Sequence, residues 1–192
     1  MIRELTAALR PALMLTLLLF ALTGLAYPLA LTGIGTALMP EAAAGSLVHA
    51  HGRVVGSALI GQNFAGDGWF HPRPSAAGAG YDPLQSGGSN LAPTSKALID
   101  RIAAAHRAAP GAPIDLLTTS ASGLDPDISP EAAEWQVTRV AAARHLAKGQ
   151  VLALVEAHVQ APLLGLLGPP RVNVLALNLA LDKLTGDRAN TP

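Results

Sequence analysis

The 192-residue chain has no cysteine, which excludes disulfides, thiolate nucleophiles, cysteine-ligated zinc and iron–sulfur clusters and leaves the redox compartment open. Charge is scarce too: 14% of residues are Asp, Glu, Lys or Arg, against roughly a quarter in ordinary globular domains. Thirteen basic and thirteen acidic residues cancel, so there is no field to draw in nucleic acid or a polybasic contact with lipid headgroups. Aromatic residues make up only 4%. What is abundant is apolar surface, at 50% of residues, which excludes disorder and points to a chain partly embedded in a membrane.

That surface is concentrated at the N-terminus. Residues 11 to 40 carry no formal charge and include Leu13, Leu15, Leu17, Leu18, Leu19, Phe20, Leu22 and Leu25. A bilayer core of about 30 Å needs about 20 helical residues, so 11–39 is long enough to cross with tilt. Ten leucines at roughly −0.5 kcal/mol each favour insertion by about 5 kcal/mol, with no charge to oppose it. A cleaved signal peptide is the alternative, with Arg3 and Arg10 as its basic region and Gly24-Leu25-Ala26 as a cleavage site. Apolar sequence resumes beyond that site through Leu29, Leu31, Ile34 and Leu38, which favours an uncleaved anchor. Arg3 and Arg10 before the span, against Arg53 after it, place residues 1–10 in the cytoplasm and residues 40–192 outside it. Gly24, Ala26, Ala30 and Gly33 offer small surfaces for a neighbouring helix.

Residues 40–192 are about one domain in length and read as α+β, giving an overall class of one transmembrane helix followed by a single exported α+β domain. Leu47 to His49 and Val54 to Ile60 are β-leaning runs around the turn-like His51-Gly52. A Gly-, Pro- and Ser-rich loop from Gly66 to Pro93 is too long to be idle unless it is functional or packed. Thr94 is expected to cap a helix carrying Leu98, Ile99, Ile102 and Ala103 and ending near Ala109-Pro110-Gly111. Ile114 to Thr119 reads as a strand. Ser129-Pro130-Glu131 starts a helix running to about Lys148 and closed by Gly149; a second is expected over Gln150 to Val159. A last helix begins near Asn173, with Val174, Leu177, Leu181 and Leu184 on one stripe.

No catalytic constellation emerges. No serine sits in a Gly-x-Ser-x-Gly elbow, and Ser86-Gly87-Gly88-Ser89-Asn90 lacks the lysine of a phosphate loop. His49 and His51 have the spacing of a strand pair that could share a metal, yet no third ligand is adjacent. His71, His106, His145 and His158 are scattered. Asp125 and Asp127 flank Pro126 and read as turn and helix-start acids. No catalytic or metal-binding residue is therefore assigned. A membrane-anchored periplasmic hydrolase or a ligand-binding envelope module are the alternatives to a partner-binding subunit; the former needs an open polar pocket, the latter a pocket without a nucleophile.

Six segments in order carry a resemblance: Gly56-Ser57-Ala58-Leu59-Ile60-Gly61-Gln62-Asn63-Phe64, Trp69-Phe70-His71-Pro72-Arg73-Pro74-Ser75-Ala76, Ser86-Gly87-Gly88-Ser89-Asn90-Leu91, Ser122-Gly123-Leu124-Asp125-Pro126, Gln136-Val137-Thr138-Arg139-Val140-Ala141 and Arg171-Val172-Asn173-Val174-Leu175. Behind one N-terminal span, they resemble the C subunit of the bacterial Kdp potassium-transporting P-type ATPase over nearly the whole chain. Asp127 stands where that family often has His, and Pro169 where it often has Glu.

The resemblance implies an accessory subunit of a high-affinity, ATP-driven potassium uptake complex in the inner membrane. Its partners would be a channel-like potassium-binding subunit, a P-type catalytic subunit, a small stabilising membrane peptide and membrane lipids. The complex uses ATP and K+; this chain alone is expected to bind neither, and it has no Asp-Lys-Thr-Gly-Thr. The implied role is assembly and a catalytic-chaperone action that raises the ATP affinity of the catalytic subunit. Candidate partner-contact or loop-ordering residues are Gln62, His71, Arg73, Ser75, Ser86, Gly87, Gly88, Ser89, Asn90, Asp125, Gln136, Arg139, Arg171 and Asn173.

Overall fold

With almost no charge to solvate, the leucine-rich N-terminus winds into helix: α1 (Ile2–Phe20), one π-helical turn (Ala21–Ala26) and α2 (Tyr27–Leu38). The structure is a computed structural model that describes residues 2–186, so the last six residues of the expected domain lie outside the described residues. From Thr6 to Leu38 the helix is long and apolar enough to cross a membrane, and none of its apolar window is buried. The π turn has a local cause. Pro28 has no N–H to donate and its ring crowds the carbonyl four residues back, so the ladder widens just before it, and Tyr27 N–H reaches Leu22 O instead. The hydroxyls of Thr23 and Thr36 donate to Leu19 O at 2.7 Å and Thr32 O at 2.8 Å, which removes polar groups from an apolar surround.

The described residues divide into two compact units, with the boundary between Leu47 and Val48. After the short helix α3 (Pro40–Ala43), strands β1 (Leu47–Ala50) and β2 (Arg53–Ser57) pair as a hairpin. His51 and Gly52 both take positive φ (51° and 75°), the two-residue turn whose twist matches paired strands. His51 lies in the turn and so does not share a strand face with His49, which removes the one geometry in which that spacing could have paired them. The second strand is also shorter than expected, stopping at Ser57 rather than Ile60.

In the second unit, β3 (Asp127–Ile128), β4 (Val159–Gln160) and β5 (Arg171–Asn173) form an antiparallel sheet of order β3-β5-β4. Asp127 pairs with Asn173, and Val172 lies opposite both Ile128 and Val159. Helices α6 (Pro130–Arg144), α7 (Lys148–Ala157) and α8 (Val174–Thr185) pack with this sheet around Phe70, Val137, Val140, Val151, Val155, Val172, Leu177 and Leu181. Ser129 caps α6 by accepting from Ala132 N at 3.0 Å, and Asn173 caps α8 by accepting from Ala176 N at 3.0 Å. On α8 the stripe is buried at Val174, Leu177 and Leu181, while Leu184 emerges.

Packing and caps differ from expectation at three further places. Ile114–Leu117 is a helical turn, α5, not a strand: Asp115 accepts Ser129 N at 2.8 Å and Leu117 is buried, and this packing overrides the β preference of isoleucine. The helix α4 (Lys96–Ala108) is preceded by Ser95, not Thr94, at the N-cap position. Helix α6 ends at Arg144, with Gly149 inside α7 rather than terminating its predecessor, and α7 stops at Ala157. The terminator is His145 at φ 55°; its N–H reaches Ala142 O while Leu146 N reaches Ala141 O, the paired bonds of a Schellman cap. Leu146 packs against the core and anchors the reversal.

Candidate functional site

The stretch from Gly66 to His71 runs against the helices without pairing as a strand, so its backbone polar groups need side-chain partners. They have them at six consecutive carbonyls. His71 Nε2 lies 2.9 Å from Gly66 O; Arg139 donates to Asp67 O at 2.7 Å and Trp69 O at 3.0 Å; Arg144 Nε donates to Gly68 O at 2.8 Å. Asn178 of α8 then accepts Phe70 N at 2.9 Å and donates to Phe70 O at 3.0 Å, while Gln136 of α6 accepts His71 N at 2.7 Å and donates to His71 O at 3.0 Å. Both amides are 1% exposed. Each therefore acts like a short piece of strand edge brought from a helix.

Arg144 also pairs with Asp182 at 3.0 Å, their side chains 10% and 8% exposed, and its guanidinium lies 4.3 Å above the Trp69 ring. Planarity and weak hydration suit arginine to this mixture of carbonyl, carboxylate and ring better than lysine. Burial lowers the His71 pKa below its ordinary value; the Gly66 bond opposes that and the nearby Arg139 charge adds to it. Burial also lowers Arg139, against the pull of Asp67.

The second half of the loop is held on the segment 118–125. Arg73 pairs with Asp125 at 3.1 Å and donates to Thr119 O at 3.3 Å. Ser75 Oγ donates to Gly123 O at 2.6 Å and accepts Ala77 N and Tyr81 N, while Tyr81 Oη donates to Arg73 O at 2.6 Å. Burial pushes the Tyr81 hydroxyl up to about 12. Ser86 Oγ and Gly87 N both reach Ser122 O, at 3.0 and 2.8 Å. Gly123, at φ 67°, lies so close that a Cβ there would be 2.5 Å from Gly87 O, and one on Gly88 would be 3.0 Å from Ala121 O. Ser89 is half-buried, and Asn90 is exposed at φ 53°.

The remaining candidates join the hairpin and sheet. Gln62 Nε2 donates to Val55 O at 3.0 Å; Asn173 Nδ2 donates to Ala58 O at 3.0 Å and Asp127 Oδ1 at 3.1 Å; Arg171 pairs with Asp127 at 3.1 Å. An open hollow of about 360 Å³ is lined by Arg73, Asp115, Asp125, Asp127, Pro169 and Arg171, among others. Burial raises the Asp127 pKa, opposed by Asn173 and Arg171 and reinforced by Asp125. The hollow's charges are engaged with one another or, at Asp115, with Ser129 N. Among the described residues no group of three or more His, Asp or Glu is placed to hold a metal ion.

The structure thus separates the candidates into a 66–71 clamp (His71, Gln136, Arg139), a loop-to-loop staple (Arg73, Ser75, Ser86, Gly87, Gly88, Asp125) and a group tying the hairpin to the central strand β5 (Gln62, Arg171, Asn173), with Ser89 and Asn90 in none of the three. On the N-terminal helix, Gly24 and Ala26 fall in the π turn and Ala30 and Gly33 in α2, all four exposed. Sequence reasoning missed Asn178, Arg144, Asp182, Trp69 and Tyr81. A signal was available for Asn178 and Asp182: both are polar residues among the apolar positions of α8, where burial demands a partner.

The chain matches the family model for the K+-transporting ATPase c chain, KdpC, over residues 9–183. It is 55% identical to the potassium-transporting ATPase KdpC subunit of Bradyrhizobium diazoefficiens over 95% of this chain and 98% of that one. It is 57% identical to the subunit of the same name in Methylobacterium nodulans, over 93% of this chain and 98% of the relative. With the Variovorax paradoxus subunit the identity is 60%, over 90% and 94%.

Proposed function

The chain belongs to the family of K+-transporting ATPase c chains and is a subunit of a P-type ATPase complex, and from that membership we propose that it is a non-catalytic accessory subunit that holds the complex together. The observation that carries this reading is the clamp: six consecutive loop carbonyls each met by a side chain. Side chains inside the resemblance segments (His71, Gln136, Arg139) and outside them (Arg144, Asn178) thereby hold the loop in place rather than present groups for chemistry, which favours assembly over the hydrolase and ligand-binding alternatives.

The orientation follows from Arg3 and Arg10 against Arg53: N-terminus cytoplasmic, domain exported, one span in the inner membrane. Its partners are the channel-like potassium-binding subunit, the P-type catalytic subunit, the small membrane peptide and surrounding lipid. ATP and K+ are handled by those partners, with no cofactor bound by this chain alone. A catalytic-chaperone action then reaches cytosolic ATP only through them; a tenfold gain in ATP affinity needs about 1.4 kcal/mol of coupling, well inside the usual allosteric range.

Purification of the complex through a tag on this chain tests the reading. The potassium-binding and catalytic subunits should co-purify, and Ser86→Ala with Ser89→Ala should leave potassium-stimulated ATP hydrolysis within a few-fold of wild type. Recovery of the chain without either subunit, or a loss of about 10³-fold in an intact complex, the size expected for a removed nucleophile, would reject it.

A further inference from the structure

Between Glu156 and Arg171 the chain carries no Asp, Glu, Lys or Arg, and within this stretch Leu163, Leu164, Leu166 and Leu167 are 68%, 84%, 87% and 61% exposed. Soluble surfaces rarely gather so much apolar area in so short a turn. The turn satisfies itself: Leu163 and Leu167 exchange N–H to carbonyl bonds at 3.0 Å each, Gly165 N donates to Pro162 O at 2.9 Å, and Leu166 N donates to Leu163 O at 3.2 Å. A backbone that pairs its own groups is what an apolar surround demands. Leu164 also takes φ 55°, a conformation leucine rarely adopts, at the point where its side chain is nearly free of the protein.

We propose that this leucine turn dips into the lipid of the same bilayer that the N-terminal helix crosses. Leu164 and Leu166, either side of Gly165, are both almost fully exposed, so the tip is convex and apolar all round, which suits a fluid medium better than one protein wall. The tether is short: residues 39 to 46 separate the span from β1 and reach at most about 28 Å when extended, which keeps β1 within that distance of the span's end. This inference rests on the membrane reading of the N-terminal helix and not on the assembly reading.

Because the chain has no cysteine, Leu164→Cys or Leu166→Cys gives a unique labelling position. The full chain, labelled with the fluorophore NBD and reconstituted alone into phosphatidylcholine vesicles, should be quenched by acyl-chain spin-labelled lipid several-fold more than the same label at Leu84→Cys. Leu84 is 92% exposed on a different loop and serves as the reference. Equal quenching at all three positions overturns the proposal, as does protection of positions 164 and 166 that appears only in the assembled complex, which would make a partner subunit the occupant. Resistance of the chain to alkaline extraction reports separately whether the span itself is inserted.

Discussion

A buried amide that serves two backbone groups is costly to lose, because truncation leaves a donor and an acceptor dry at about 1–3 kcal/mol each. Asn178 serves Phe70 in this way and Gln136 serves His71. Asn178→Ala should therefore destabilise the chain by about 2–4 kcal/mol in urea unfolding, and a loss below about 0.5 kcal/mol would show that water replaces the amide freely. His71 sets a pH dependence. Its folded pKa lies below the ordinary 6.5, so the unfolded chain binds the proton more readily, and stability falls as pH drops through 6.5 toward the folded value. His71→Gln should flatten the slope of Tm between about pH 7.5 and 5.5, and an unchanged slope would assign it to other groups. At this scale, the helix starts at Ser129 and Asn173 were legible in the sequence and the clamps were not. Ser129 and Asn173 bond a backbone N–H three residues ahead, whereas Phe70 and Asn178 are separated by 108 positions that no local pattern connects.

Elements were read well where periodicity was long and poorly where packing decided. The N-terminal helix, the starts of α6 and α8 and the hairpin turn at His51-Gly52 follow from local chemistry. The α5 turn and the end of α6 do not, since Leu117 burial and the Leu146 anchor come from the rest of the domain. The corner between α6 and α7 places a histidine where glycine is usual, at a cost of about 1 kcal/mol in left-handed backbone. His145→Gly should accordingly raise stability by up to about 1 kcal/mol, read as a higher urea midpoint with an unchanged slope. Destabilisation instead would mean that the imidazole makes a contact worth more than the strain it imposes.

For the whole molecule, the two units invite separate removal, and the assembly reading requires both. The span supplies a lipid-facing helix with Gly24, Ala26, Ala30 and Gly33 exposed for a neighbour, while the second unit supplies the clamped loop surface. Neither half explains the other, and the family resemblance was legible because its six segments contain many of the residues that staple loop to core. The most direct measurement is potassium-stimulated ATP hydrolysis by complexes purified with the full chain, with residues 41–192 deleted, and with the span replaced by an unrelated leucine helix. Both altered chains are expected to lower complex recovery and hydrolysis together, with the full chain restoring them; normal assembly and normal potassium-stimulated turnover with both altered chains would contradict the account.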